Sequence, residues 1–221
     1  SADDQRRPFI EMRGVSFGYL TGRPILQGVS LVMQPGETLA LVGRTGAGKS
    51  SSLHLLGGLY TPWSGSVRIA GEDPSSLTEE DRRRLIGVVP QVVQLFSGTV
   101  FDNLTLGDES MSREAVQRAA TVAGSDSFIQ NLPNGYDTML GRGVDLSGGQ
   151  RQLLALARAL VWDPAVLLLD EATAAIVSAS EAAFRAALRG SVSSQDRAVL
   201  TVAHRLSTAK ETEQVLVMEE G

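Results

Sequence analysis

At 221 residues, 43% of them hydrophobic, the chain is long enough for one large domain or for a core carrying an inserted subdomain. It contains no cysteine, which excludes a disulfide framework and thiol chemistry. The net charge of −5 argues against a nucleic-acid or anionic-membrane footprint. No run approaches the roughly 18 consecutive apolar residues of a membrane span. The polar stretch 1–8 starts at Ser1 and has no signal-peptide pattern, so it reads as a linker out of something longer.

Residues 9–19 alternate like a half-buried strand, and residues 25–33 repeat the pattern before the turn Gln34-Pro35-Gly36-Glu37. Together they predict an antiparallel edge sheet. Tyr19 ends the first strand, where an exposed aromatic ring can stack on a nucleobase. The apolar run Thr38-Leu39-Ala40-Leu41-Val42 leads into Gly43-Arg44-Thr45-Gly46-Ala47-Gly48-Lys49-Ser50. Ser51-Ser52-Leu53-His54-Leu55-Leu56 then reads as the first turns of a helix. Strand, glycine-rich turn and helix in that order are the setting a phosphate-binding P-loop requires. The glycines let successive N–H groups turn inward on an anion, and the helix N-terminus adds its positive dipole end. Lys49 then reaches the β- and γ-phosphates, and the Ser50 hydroxyl ligates Mg²⁺.

Residues 57–65 are rich in breakers, 66–71 form a short strand, and 85–90 form a buried strand closed by Pro90, with Gln91 following. Arg82-Arg83-Arg84 after Glu79-Glu80-Asp81 reads as a solvated helix face with opposite-charge pairs. His54 lacks the partners a metal site would need and reads as a packed or surface helix residue; Trp63 reads as loop packing. From 92 to 163 the spacing turns helical. That block reaches Leu146-Ser147-Gly148-Gly149-Gln150-Arg151-Gln152, then a helix over 153–160 that Ser147 can cap and Asp163-Pro164 stops. Residues 165–169 are continuously apolar, as in a parallel strand buried on both faces. They deliver Asp170-Glu171 to the strand's carboxyl end, where ligands sit in open α/β sheets. Asp170 is placed to hold Mg²⁺ and Glu171 to polarise an attacking water. An alanine-rich helix over 180–188 follows. Strand 198–203 delivers His204-Arg205, and 215–218 is the last strand.

Taken in order, these motifs resemble the nucleotide-binding domain of ATP-binding cassette (ABC) transporters over essentially the whole chain. Leu146-Ser147-Gly148-Gly149-Gln150 resembles the ABC signature, Gln91 the Q-loop and Tyr19 the aromatic that stacks on adenine. Residues 166–171 resemble the Walker B strand with its catalytic glutamate, and His204 resembles the switch histidine. Leu95-Phe96-Ser97-Gly98-Thr99-Val100, Asp102-Asn103-Leu104 and Leu132-Pro133-Asn134-Gly135-Tyr136-Asp137-Thr138 resemble the exporter branch.

The resemblance implies an α/β fold: a P-loop NTPase with a RecA-like core (9–91 and 164–221), an antiparallel β edge subdomain, and an inserted α-helical signature subdomain (92–163). Residues 1–8 would be the linker from an N-terminal membrane domain. It implies catalytic roles for Glu171, His204 and Gln91, with Ser50, Gln91 and Asp170 at Mg²⁺. ATP would lie on Tyr19, Gly43, Arg44, Thr45, Gly46, Ala47, Gly48, Lys49, Ser50 and Ser51. A second nucleotide-binding domain, identical or different, would complete the site with its own Ser147, Gly148, Gly149 and Gln150. The domain would work at the cytoplasmic face of the cell membrane on a transmembrane domain of the same or an associated chain. No nucleic-acid partner is implied, which sets aside a soluble ABC ATPase acting on nucleic acid or ribosomes.

Three positions depart from the exporter pattern. Ala174-Ala175-Ile176-Val177 stands where exporters usually carry Ser-Ala-Leu-Asp, Gly141-Arg142-Gly143 lacks the usual glutamate, and Val92 replaces a frequently acidic residue. The first change keeps open a heterodimeric exporter with one degenerate, mainly regulatory site.

Overall fold

The computed structural model describes residues 8–44, 48–141, 143–170, 197–203 and 214–218. Thr45, Gly46, Ala47, Arg142, Glu171, His204, the 174–177 segment and the alanine-rich stretch 180–188 lie outside the described residues.

Strands β1 (Ile10–Phe17) and β2 (Leu26–Met33) come first, followed by β3 (Thr38–Gly43), helix α1 (Lys49–Leu56) and β4 (Ser64–Ile69). Helix α2 (Glu79–Leu85) and β5 (Ile86–Val89) follow. Then come β6 (Gly98–Thr99), α3 (Val100–Thr105), α4 (Arg113–Ala123), α5 (Asp126–Gln130), β7 (Met139–Leu140) and α6 (Gly148–Leu160). Strands β8 (Val166–Leu169), β9 (Ala198–Ala203) and β10 (Gln214–Met218) close the order. The expected α/β fold with an antiparallel edge sheet is what the chain adopts. β1 is central to an antiparallel sheet of order β2-β1-β4, and a second sheet has the order β10-β3-β9-β8-β5 with parallel β10–β3, β3–β9 and β8–β9 ladders. The strand read at 66–71 runs from Ser64 to Ile69, and the first strand stops at Phe17, two residues short of Tyr19.

The chain divides into two compact units, with breaks after Val88 and after Asp163. In the first, the parallel strands are the driest part. All four residues of β8 are buried, as a continuous apolar run with both faces covered must be. A single apolar core joins Ile10, Met12 and Phe17 of β1, Leu26 of β2, Leu53 and Leu56 of α1, and Leu168 and Leu200 of the parallel sheet. In the second unit, side-chain caps start three of the helices, α3, α4 and α6. Thr99 caps α3 in a capping box with Asp102, Ser112 caps α4, and Gly124 ends α4 in the left-handed conformation. The short β6–β7 ladder was not read from the sequence; Val100 N–H donates to the Thr138 carbonyl beside it.

The charge run divides its labour. Arg83 pairs with Glu79 and Arg84 with Glu80 one turn earlier, as the spacing predicts, whereas Arg82 turns back to donate to the Pro74 and Leu77 carbonyls.

β1 buries Ile10 and Met12, then Val15 and Phe17. That change of parity needs an extra residue, and the register with both neighbours shifts just there, around Gly14 at φ +54°. Gly65 of β4 lies against this bulge at φ +82°, and a Cβ on it would overlap the Arg13 and Gly14 carbonyl oxygens. Gly65→Ala is expected to cost at least about 2 kcal/mol in urea unfolding, from the left-handed backbone and the overlap together. Gly14→Ala, where a Cβ meets open space, is expected to cost about 1 kcal/mol. Equal costs at the two positions would refute this account of the bulge.

Candidate functional site

β3 brings Gly43 to the carboxyl edge of the parallel sheet, and α1 starts six residues later at Lys49. Gly48 is the N-cap, at φ 89° and ψ 9°, with no side-chain cap on the first turn. Its glycine identity is doubly required: the φ is left-handed, and a Cβ would crowd the Leu26 and Ile25 side chains. A helix N-terminus with no side-chain cap, together with the helix dipole, favours an anion. Arg44 and Ser50 are exposed at this edge, whereas Ser51 and Ser52 are buried; Ser52 bonds back to the Gly48 carbonyl.

Lys49 is the electrostatic centre. Its side chain is 4% exposed, and its Nζ donates to the Gly43 carbonyl at the end of β3 and, at 3.4 Å, to the Ala203 carbonyl at the end of β9. Burial pulls its pKa below the ordinary lysine value, and the Asp170 carboxylate, one residue past β8, opposes that shift. Three strand ends and the first turn of α1 therefore meet around one cation. Glu171 and His204, the expected catalytic glutamate and switch histidine, lie outside the described residues.

Tyr19 stands past the end of β1, 44% exposed. Its ring packs edgewise with Phe17 and with Tyr60, and Tyr19, Tyr60 and Trp63 line a groove of about 540 Å³. Trp63 is the loop-packing residue that the sequence suggested: its N–H donates to the Ser16 carbonyl and its ring lies 6.5 Å from Phe17. The Tyr19 hydroxyl lies 2.7 Å from His54 Nδ1. Sequence reasoning placed His54 on a helix without this partner, because nothing local links residues so far apart in the chain.

The second unit holds the other expected positions. Ser147 is the N-cap of α6, accepting from the Gln150 N–H at 3.1 Å while the Gln150 side chain accepts from the Ser147 N–H at 3.0 Å. Gly148 and Gly149 form the first turn. Neither has a left-handed φ; a Cβ on Gly148 would meet nothing within 4 Å, and one on Gly149 only an ordinary contact with Ser147. Gln91 is exposed, and its carbonyl accepts from the buried Gln152 amide of α6 at 2.9 Å. Arg158, two turns further on, donates to the Gln94 and Asn103 carbonyls. These anchors were not read from the sequence; they are side-chain-to-backbone bonds across more than fifty residues. Among the described residues there is no cluster of three or more His, Cys, Asp or Glu that could cage a metal, and no helix long and apolar enough to cross a membrane.

Comparison with known families decides the identity. The family model described as "ABC transporter" matches residues 26–174, from β2 through the P-loop and the Ser147 cap to just beyond Asp170. The chain belongs to the ABC transporter family. It is the nucleotide-binding, ATPase domain, and its relatives include ABC exporters. It is 44% identical over 213 residues to ATP-binding cassette sub-family B member 6 of Homo sapiens, covering 96% of this chain and 25% of that protein. It is 41% identical to an ATM1-type heavy metal exporter of Novosphingobium aromaticivorans, covering 97% of this chain and 35% of the relative. It is 42% identical to a probable multidrug resistance ABC transporter ATP-binding/permease protein of Bacillus subtilis, covering 96% and 31%. Among solved structures it superimposes on a bacterial Atm1-family ABC exporter with ATP bound, with a TM-score of 0.86 and 40% identity over all of this chain and 38% of that one. The nucleotide-binding domain thus spans between a quarter and about two fifths of the length of these proteins.

The depressed pKa of Lys49 yields a stability prediction. Protonating this amine costs more in the fold than in the unfolded chain, so the penalty is fully present below the folded pKa and disappears as pH rises through it toward the ordinary lysine value. Lys49→Met is therefore expected to weaken ATP binding severely at pH 7 while leaving the nucleotide-free Tm unchanged or higher. A fall of more than about 4 °C, roughly 1 kcal/mol or more for a chain this size, would show that the lysine holds the fold together instead.

Proposed function

We propose that this domain binds Mg²⁺-ATP at the carboxyl edge of its parallel sheet and hydrolyses it to power export through a transmembrane domain. The observation that carries the reading is the meeting of Gly43, Gly48, the buried Lys49 ammonium and Asp170 at one sheet edge. A dry ammonium beside uncapped helix amides suits the β- and γ-phosphates, whose charge offsets its burial. Tyr19 stacks on adenine.

The donors fit Mg²⁺: a serine hydroxyl, Ser50, lies in the first turn of α1, the Asp170 carboxylate lies close enough to act on Lys49, and among the described residues no protein cage competes. Oxygen donors this few suit an ion that keeps its waters and takes the rest of its shell from phosphates. When bound, the ion neutralises charge on the β- and γ-phosphates. Ser50 and Asp170 hold it, with Gln91 the third expected ligand, and Glu171, next in the chain, orients and deprotonates the attacking water, with His204 sensing the γ-phosphate.

The second half of the site comes from another nucleotide-binding domain packed head to tail. Two adjacent glycines at 148 and 149 are required by neither the conformation nor the packing of this chain. They make sense where a second molecule must bring a phosphate close to the backbone at the start of α6. ATP then joins the two domains and hydrolysis releases them, rocking the attached membrane segments at the cytoplasmic face.

General-base catalysis contributes about 10²–10⁴-fold. Glu171→Gln is expected to slow phosphate release by that factor while ATP affinity stays within about threefold, a change under 1 kcal/mol. Hydrolysis at the wild-type rate in this variant would overturn the assignment of Glu171.

A further inference from the structure

Helix α1 does more than present Lys49 and Ser50. Ser51 and His54 lie three residues apart on it, on one helical face, and both reach the hydroxyl of Tyr19. Ser51 Oγ donates to the Tyr19 oxygen at 3.2 Å, and that oxygen lies 2.7 Å from His54 Nδ1. The phenol oxygen thus bonds both the Ser51 hydroxyl and the His54 imidazole, two side chains of one helix. The far end of the tyrosine is thereby fixed, while its ring lies in T-shaped contact with Phe17 at a 5.1 Å centroid distance and 83° and with Tyr60 at 5.2 Å and 78°. The backbone before it is fixed as well: a Cβ on Gly18 would overlap the Arg23 carbonyl oxygen and press on the Trp63 ring. A ring still 44% exposed is thus set in one orientation.

We propose that His54 is a positioning residue for nucleobase recognition. It sets the plane of Tyr19 so that a purine can stack on it without an ordering cost at the moment of binding. The inference rests on the reading of Tyr19 as the base-stacking residue. Its consequence is that one short helix measures the nucleotide from both ends. Lys49 and Ser50 take the phosphates, and Ser51 and His54, on the same rigid turn sequence, fix the platform for the base. A ligand that keeps the triphosphate and lacks the base does not use the second part.

The test is calorimetric titration of the 221-residue chain with ATP and, separately, with inorganic tripolyphosphate, both with Mg²⁺. His54→Leu is expected to weaken ATP about fivefold, the value of one lost neutral hydrogen bond, and to leave tripolyphosphate affinity unchanged. His54→Gln, which keeps an acceptor, is expected to recover most of the ATP affinity. Tyr19→Phe, which removes the hydroxyl and keeps the ring, is expected to match His54→Leu, and the double variant to lose no more than either alone. The inference is overturned if His54→Leu binds ATP like the wild type, or loses both ligands equally. Tyr19→Ala separates the two readings. Weakened ATP binding there with an unaffected His54→Leu sinks only the role of His54, whereas undiminished ATP binding in Tyr19→Ala sinks base stacking itself and the inference with it.

Discussion

A charged amine held where water scarcely reaches is the constraint on which the nucleotide site depends. Lys49 satisfies its protons with the carbonyls that end β3 and β9, so the two strands must stop at the same level and in parallel register. Its neighbour Gly48 must turn left-handed with no Cβ, because Leu26 of the antiparallel sheet stands against it. Asp170 must arrive at the end of a fully buried strand to offset the desolvation. Each of these keeps the buried ammonium placed and compensated for its lost water. The apolar core shared by both sheets and α1 keeps the cation dry, and a dry charge acts more strongly on an opposite one.

The second unit obeys a different logic. Helix α6 begins with a serine whose hydroxyl is committed to capping, followed by two glycines with free space around the first. Further along the same helix, Gln152 and Arg158 hold the backbone of the 91–103 segment through carbonyls. The helix is therefore a rod with an uncrowded glycine turn at its N-terminus and the Gln91 segment tied to its side. A shift of the rod would carry both.

What could be read from the sequence followed from how local the cause was. The P-loop was legible because strand, glycines, lysine and helix are contiguous, and the Ser147 cap because serine and Gln150 are three residues apart. The parallel strands showed as unbroken apolar runs. Residues 9–19 read as one alternating strand; the parity change between Met12 and Val15, and the bulge at Gly14 that causes it, required the register with β2 and β4. The β6–β7 ladder escaped notice because two residues a side carry no periodicity. The tie of Tyr19 to His54 and that of Gln91 to Gln152 escaped for the opposite reason: each joins distant segments through a single bond, and neither residue type announces it. Arg82 shows the limit of a correct rule, since its neighbours make the expected helical pairs while it turns to backbone carbonyls.

The central claim is that each working site takes its lysine from one chain and its glycine turn from another. Mixing two disabled variants tests this directly. Lys49→Met removes the phosphate grip, and Gly148→Arg fills the open space before α6 without disturbing the chain's own packing. Each alone should hydrolyse ATP barely above background. Mixed, they form pairs in which one site keeps both an intact Lys49 and an intact Gly148, so hydrolysis should return and rise with protein concentration. A mixture no more active than the sum of its parts, or a Gly148→Arg variant that turns over normally by itself, would contradict the shared site.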